Sequence, residues 1–233
     1  MHVTDLPARH QDYLKAIFDL QEWGAAHVTL SELAAHLNQR PSTASEAVKR
    51  LVKQGFVEHH PYGDIQLSAQ GRDMAVAMVR RHRLLETYLC RQLGYTLDEV
   101  HEEAEVLEHA VSDTFIARIA AHMGHPTRDP HGDPIPDAHG RVASHDVFSL
   151  GDATTGTRPT IDRVSDRDPQ LLRYLEDKGV LPGVTVEVLD RAFADMAEFR
   201  LSDGATVQLP VSSLGFILAR SSASSASGQA GEA

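Results

Sequence analysis

The stretch from residue 29 to residue 67 leaves a folding chain few choices. Thr29 is a capping residue, and Leu30, Leu33, Ala34 and Leu37 behind it are spaced as one face of a short helix. A polar turn, Asn38-Gln39-Arg40, leads to Pro41, which suits a first helical turn because its missing N–H is not needed there. The pattern predicts a second helix through Gln54, ended by Gly55, and then two short strands in FVEHHPYGDIQL around a Pro-Tyr-Gly-Asp turn. An earlier helix over 8–23 carries Tyr13, Leu14, Ile17, Phe18 and Leu20 at helical spacing and stops at Gly24. Helix, helix, turn, helix and hairpin in this order predict a winged helix-turn-helix.

In such a unit the second helix of the turn lies in a DNA major groove with its N-terminal residues at the base edges. Those residues are Gln39, Arg40, Pro41, Ser42, Thr43, Ser45 and Glu46, mostly short and polar, and suited to phosphate contacts and close approach to thymine methyls. Lys49, Arg50 and Lys53 make the rest of the helix basic. Glu46 opposes phosphate unless it accepts from a cytosine amino group. The net charge of −11 argues against nucleic acid only superficially: residues 1–72 hold seven Lys/Arg and eight Asp/Glu, a net of −1, so the acidity lies elsewhere. A winged helix that binds protein, or a small helical domain that merely packs, stays open on these residues alone.

Beyond the hairpin the chain is mainly helical, then β-rich. Helices are predicted over 68–93 and 96–123, the second with Asp98 and Glu99 against its helix dipole. Residues 126–145 contain four prolines and read as an extended linker whose histidines are solvated, as His59 and His60 in the wing are expected to be. Residues 157–220 alternate β-rich runs with turns, interrupted by a helix over 169–178, which is a small-barrel pattern. The fold class is therefore mainly α with small β, divided at 1–72, 73–145 and 146–220, with a disordered tail over 221–233. No apolar stretch is long enough to span a bilayer, the N-terminus lacks signal-peptide regions, and Cys90 is the single cysteine. A cytoplasmic location is expected.

The chemistry concentrates in His101-Glu102-Glu103-Ala104-Glu105-Val106-Leu107-Glu108-His109. At about 100° per residue, His101, Glu105, Glu108 and His109 share roughly one third of the helix circumference; Glu102 sits at the edge and Glu103 points away. The preceding helix offers His82 and Glu86 at i,i+4. Imidazole with carboxylate is ligand chemistry for a divalent first-row cation, and Asp12 of the first helix can complete the cage. The metal is then a latch that selects one orientation of the DNA-reading helix. Without it the clustered carboxylates are expected to repel and loosen the chain. A solvated acidic face accounts for the same charge run and stays open.

The segments DYLKAIFDL, NQRPSTASEAVKRL, RRHRLLETYL, DEVHEEAEVLEHAVSD and HPTRDPHGDPIP resemble the diphtheria-toxin-repressor family of metal-dependent regulators over residues 8–220. The resemblance implies a homodimer of three parts: the winged helix, a helical metal-binding and dimerisation domain, and a C-terminal SH3-like barrel matched by LEDKGVLPGVTVEVLD. It implies one metal site of Asp12, Glu105, Glu108 and His109, a neighbouring one of His82, Glu86 and His101, and barrel donors at Asp168 and Gln170. Iron-type members carry Met and Cys where Asp12 and Glu105 stand, and the harder oxygen ligands here favour Mn²⁺, with Fe²⁺ next. Manganese-transport regulators usually lack the barrel and carry a carboxylate where this chain has Lys15. The expected function is a Mn²⁺/Fe²⁺-dependent repressor on double-stranded palindromic operator DNA, not an enzyme, with no membrane partner. The alternatives are a winged-helix regulator of an organic ligand, or a metallohydrolase, which lacks accompanying oxyanion donors and a nucleophile.

Overall fold

The computed structural model describes residues 3–24, 27–59, 63–143, 146–189 and 195–221. Residues 222–233 of the tail expected over 221–233, His60 and His145 lie outside the described residues. The chain forms two compact units. The first takes Met1–Gly94, Glu102–Asp129 and Pro134–Ala143; the second takes Tyr95–His101, Pro130–Asp133 and Ser144–Ala233.

In the first unit, α1 (Ala8–Glu22), α2 (Leu30–His36) and α3 (Pro41–Lys53) precede a hairpin of β1 (Val57–His59) and β2 (Ile65–Leu67). Thr29 starts α2 with a capping box: its hydroxyl accepts from Glu32 N–H while the Glu32 carboxylate accepts from the Thr29 backbone. Arg40 stands at the N-cap of α3 and Pro41 in its first turn, as the spacing predicts. The strands pair antiparallel with Val57 opposite Leu67. Tyr13, Leu14, Ile17, Leu33, Ala34, Val48, Leu51, Phe56 and Ile65 are buried together, and each large side chain so buried stabilises by about 1.5–3 kcal/mol. The long α4 (Ala69–Tyr88) packs along α1 and widens to π geometry over Leu89–Leu93 before Gly94 ends it at φ +76°.

The predicted helix over 96–123 is two. α5 (Leu97–Ala110) ends before Ser112, which caps α6 (Asp113–His122) by accepting from Phe115 N–H at 3.2 Å. Arg81 of α4 makes the break stable. Its buried guanidinium donates to the carbonyls of Glu108, at 3.1 Å, and Val111, and pairs with Asp113. Helical periodicity continues across the break, so only the Ser-Asp pair marked it.

In the second unit, β3 (Phe148–Ser149), β8 (Ile217–Arg220) and β4 (Thr160–Val164) form one antiparallel sheet in the order β3-β8-β4. A second has the order β5 (Val186–Val188), β6 (Met196–Leu201), β7 (Thr206–Pro210). α7 (Pro169–Asp177) lies between β4 and β5 in sequence, and Ile161, Leu172, Leu175, Val186, Phe199, Leu209 and Ile217 share the core. This is the small β-rich domain that the alternation predicts. The expected free linker departs from that reading. His131 is buried; its Nε2 lies 3.0 Å from the Leu97 carbonyl and its own carbonyl accepts from Val164 N–H at 2.9 Å. Gly132, at φ +94°, lies so close to β4 that a Cβ there would stand 2.2 Å from the Asp162 carbonyl oxygen. Gly132 here serves close packing rather than slack.

Candidate metal centre and nucleic-acid interface

Asp12, Glu105, Glu108 and His109 each bring one ligand atom into a group whose members lie within 4.8 Å of one another. All four belong to the first unit, Asp12 on α1 and the others on the last two turns of α5. His109 Nε2 stands 2.9 Å from Asp12 Oδ1 and 3.6 Å from Glu108 Oε1. Asp12 Oδ1 is buried and accepts no hydrogen bond among the described residues, although the imidazole nitrogen is that close. An unsatisfied buried carboxylate oxygen facing a ring nitrogen suits a cation held by both.

Gln11 settles which ring nitrogen is free. Its side chain is buried, and its Nε2 donates to the carbonyls of Val3 at 3.0 Å and Leu6 at 2.7 Å. With the amide thus oriented, Oε1 faces His109 Nδ1 at 2.9 Å and accepts a hydrogen bond from it. Nε2, the nitrogen that faces Asp12, is then the ring atom placed for a metal. Nothing in the residue spacing marks Gln11, because its partners lie 5, 8 and 98 residues away.

Behind this group lies a buried charge network. Lys15 Nζ donates to Glu108 Oε1 at 2.8 Å and to Glu105 Oε1, and stands 3.3 Å from His82 Nδ1. His82 Nδ1 is 2.6 Å from Glu108 Oε2, and its Nε2 is 2.9 Å from Glu86 Oε1. Burial works to lower the His82 pKa, but Glu86 and Glu108 outweigh it and raise it to about 9. Burial works to raise Glu108, but Lys15 and His82 hold it at about 2. Burial would lower Lys15 too, yet Glu108 and Glu105 leave it raised. Asp12 is raised by burial, against the pull of His109 and Lys15. The repulsion expected among these carboxylates is therefore offset by an internal ammonium.

Of the other expected ligands, His82 and Glu86 are buried in the first unit, while His101 belongs to the second, its Nδ1 3.1 Å from Asp166 Oδ2. Asp168 is the N-cap of α7, its Oδ1 accepting from Gln170 N–H at 2.9 Å and Leu171 N–H at 3.1 Å, and Gln170 is exposed. In the same unit Asp166 is the carboxylate beside His101.

On the α3 face, Arg40, Pro41, Ser42, Glu46, Lys49 and Arg50 are exposed, and Thr43 and Ser45 are half-buried. Ala44, Ala47, Val48 and Leu51 are buried behind them. Glu46 pairs with Lys49 at 3.0 Å, which neutralises the carboxylate that opposed phosphate binding. Gln39 differs: its Oε1 accepts from Tyr13 Oη at 2.6 Å and Arg9 at 3.2 Å, tying the turn to α1. Arg9 and His10 of α1 line a hollow with Ser42, Thr43, Glu46, Ala47 and Arg50, two residues that a reading of the turn alone misses.

Comparison with known proteins gives a consistent result. Residues 5–65 match the model of the iron-dependent-repressor N-terminal DNA-binding domain, 68–137 that family's metal-binding and dimerisation domain, and 148–218 the FeoA domain. The chain is 31% identical over 199 residues to the iron-dependent repressor IdeR of Mycobacterium leprae, covering 80% of this chain and 86% of that protein. It is 30% identical to the diphtheria toxin repressor of Corynebacterium diphtheriae, covering 81% and 88%. Among solved structures it resembles a manganese-dependent transcriptional repressor in complex with manganese, with TM-score 0.86 and 47% identity over 91% of this chain and 99% of that one. It also resembles the manganese regulator SloR, with TM-score 0.76 and 32% identity over 91% and 98%.

Proposed function

Because the chain belongs to the iron-dependent-repressor family of metal-dependent transcriptional regulators, we propose that it represses metal-homeostasis genes when Mn²⁺, or Fe²⁺ next, occupies Asp12, Glu105, Glu108 and His109. The observation that carries this reading is the pairing of Asp12 Oδ1, buried without a hydrogen bond, with His109 Nε2, the ring nitrogen that Gln11 leaves facing it. Three carboxylates with one imidazole form a hard, mostly oxygen donor set, which favours Mn²⁺ over softer-ligand metals. The bound ion supplies charge that joins α1 to α5. Every further effect runs through the chain's own residues.

Asp12 lies between two coupling residues. Gln11 holds His109, and Tyr13 holds Gln39 in the turn that leads into α3. A cation that fixes Asp12 therefore restricts the helix from which the turn hangs, and this differential affinity is what shifts the population toward the DNA-binding orientation. In our reading the protein is a cytoplasmic homodimer on palindromic double-stranded operator DNA, with recognition helices one helical turn, or a multiple, apart. Exposed Leu93, Val106 and Phe115 of the helical segment supply apolar surface for a second copy. We assign the DNA-binding part to 1–72, the metal and dimerisation part to 73–145 and the barrel to 146–220. His82, Glu86 and His101 are kept as the further ligand set, and Asp168 and Gln170 as the barrel's candidate donors. Among the described residues, no helix is long and apolar enough to cross a membrane.

The test is a titration of chelated protein with Mn²⁺, Fe²⁺ under anaerobic conditions, Zn²⁺ and Ca²⁺, following binding to its own promoter DNA at fixed salt. DNA binding should appear with Mn²⁺ or Fe²⁺ and be lost in Glu105→Ala and His109→Ala. Equal DNA binding with and without metal would sink the reading and leave regulation by an organic ligand.

A further inference from the structure

Lys15 has no part in reading DNA and is not a metal ligand, yet it occupies the centre of the charge network. This inference rests on the metal reading of the Asp12–Glu105–Glu108–His109 group. The Nζ atom is surrounded by side chains of ligand type: Glu108 Oε1 at 2.8 Å, Glu105 Oε1, and His82 Nδ1 at 3.3 Å. Two of those three, Glu105 and Glu108, also belong to the metal group. The lysine side chain is 8% exposed and that of Glu108 is fully buried, so water contributes little to holding these charges apart.

Charge decides how the group can fill. Asp12, Glu105 and Glu108 with a neutral His109 carry three negative charges, and Lys15 reduces them to two, which one divalent ion balances. A second divalent ion would need the same Glu105 and Glu108 oxygens and would stand against a fixed ammonium that is itself buried beside Glu108, where like charges repel. The ammonium differs from an ion in one respect: it cannot dissociate. It therefore keeps α1 tied to α5 when no metal is present, and leaves Asp12 and His109 as the pair that waits for one.

We propose that the Lys15 ammonium is a resident second cation of this carboxylate cluster, so that the cluster exchanges one metal ion per chain and its helices are docked before that ion arrives. The experiment uses full-length protein and Mn²⁺ as the probe. Bound Mn²⁺ per chain is measured by elemental analysis after equilibrium dialysis, and Tm is measured with chelator and with Mn²⁺. Lys15→Glu puts a carboxylate beside Glu105, Glu108 and His82, and should bind one more Mn²⁺ per chain than the unaltered protein measured in parallel. Lys15→Gln should keep the unaltered count, melt several degrees lower without metal, and regain most of that loss when loaded.

A folded Lys15→Glu protein with the unaltered count overturns the proposal. So does a Lys15→Gln protein whose metal-free Tm equals that of the unaltered chain. If Lys15→Glu fails to fold by circular dichroism, Lys15→Gln decides alone. Failure of the underlying metal reading looks different: the Mn²⁺ count of the otherwise unaltered chain would then not fall in Glu105→Ala or His109→Ala.

Discussion

Gln11 shows how a single uncharged side chain governs the electronics of a site it does not enter. Its amide is fixed by two backbone carbonyls, so it presents oxygen, not nitrogen, to His109. Substitution by Met keeps the volume and removes that preference, and groups in this position typically change metal affinity by about 10–100-fold. Gln11→Met should weaken Mn²⁺ binding by that order in calorimetric titration while far-UV circular dichroism stays unchanged; an unaltered affinity would mean that Gln11 is only packing. The buried pair His82 and Glu108 sets the acid–base limits of the metal-free chain. His82, raised to about 9, stabilises fully below its unfolded value of about 6.5, and the contribution is lost as pH rises through 9. Glu108, held at about 2, stabilises fully above its unfolded value of about 4.3, and that contribution is lost as pH falls toward 2. Tm in chelator should thus be highest between about 4.3 and 6.5 as far as this pair is concerned. In His82→Gln the alkaline decline should flatten.

At the scale of elements, legibility followed distance along the chain. The capping box of α2, Pro41 in the first turn of α3 and the clustering of Glu105, Glu108 and His109 on one face of α5 are local patterns, and each was readable as such. The turn between α5 and α6 was not, because Arg81, an arginine from another helix, satisfies the carbonyls that the break exposes. His131 was misplaced in solvent for a similar reason: only the fold brings Leu97 and β4 to it. Lys15 was visible as an oddity of position, but its partners at 105 and 108 lie 90 and 93 residues on. Gly71 is another long-range requirement. A Cβ there would stand 1.9 Å from the Phe56 carbonyl oxygen, where α4 begins against β1. Ser68, which donates to Gly55 O at 2.7 Å and caps Gly71 N–H at 3.0 Å, holds the same corner. Gly71→Ala should destabilise the chain by about 1–3 kcal/mol, as other overpacked interiors do, seen as a lower midpoint in urea with the slope unchanged.

For the molecule as a whole the question is how a cation changes the grip on DNA. Tyr13 Oη to Gln39 Oε1, at 2.6 Å, joins the neighbour of the proposed ligand Asp12 to the recognition turn. If coupling runs through it, Tyr13→Phe separates two quantities that normally move together. Mn²⁺ affinity should stay within about two-fold, while the gain in DNA affinity on adding Mn²⁺ should shrink by about five-fold or more, the scale of a 1 kcal/mol coupling. A calorimetric Mn²⁺ titration alongside fluorescence anisotropy on operator DNA, with and without metal, measures both. An unchanged gain would place the coupling in helix packing instead.

The tethered ammonium has a consequence for signalling. Taken by itself, a cluster that trades a single ion follows a simple saturation curve, and passing from one-tenth to nine-tenths full takes a rise of about eighty-fold in free ion. Two ions sharing the same carboxylates would compress that range into something closer to a switch. By building one of the two cations into the polypeptide, the cluster trades steepness for breadth, and it reports the supply of its metal as a dial does.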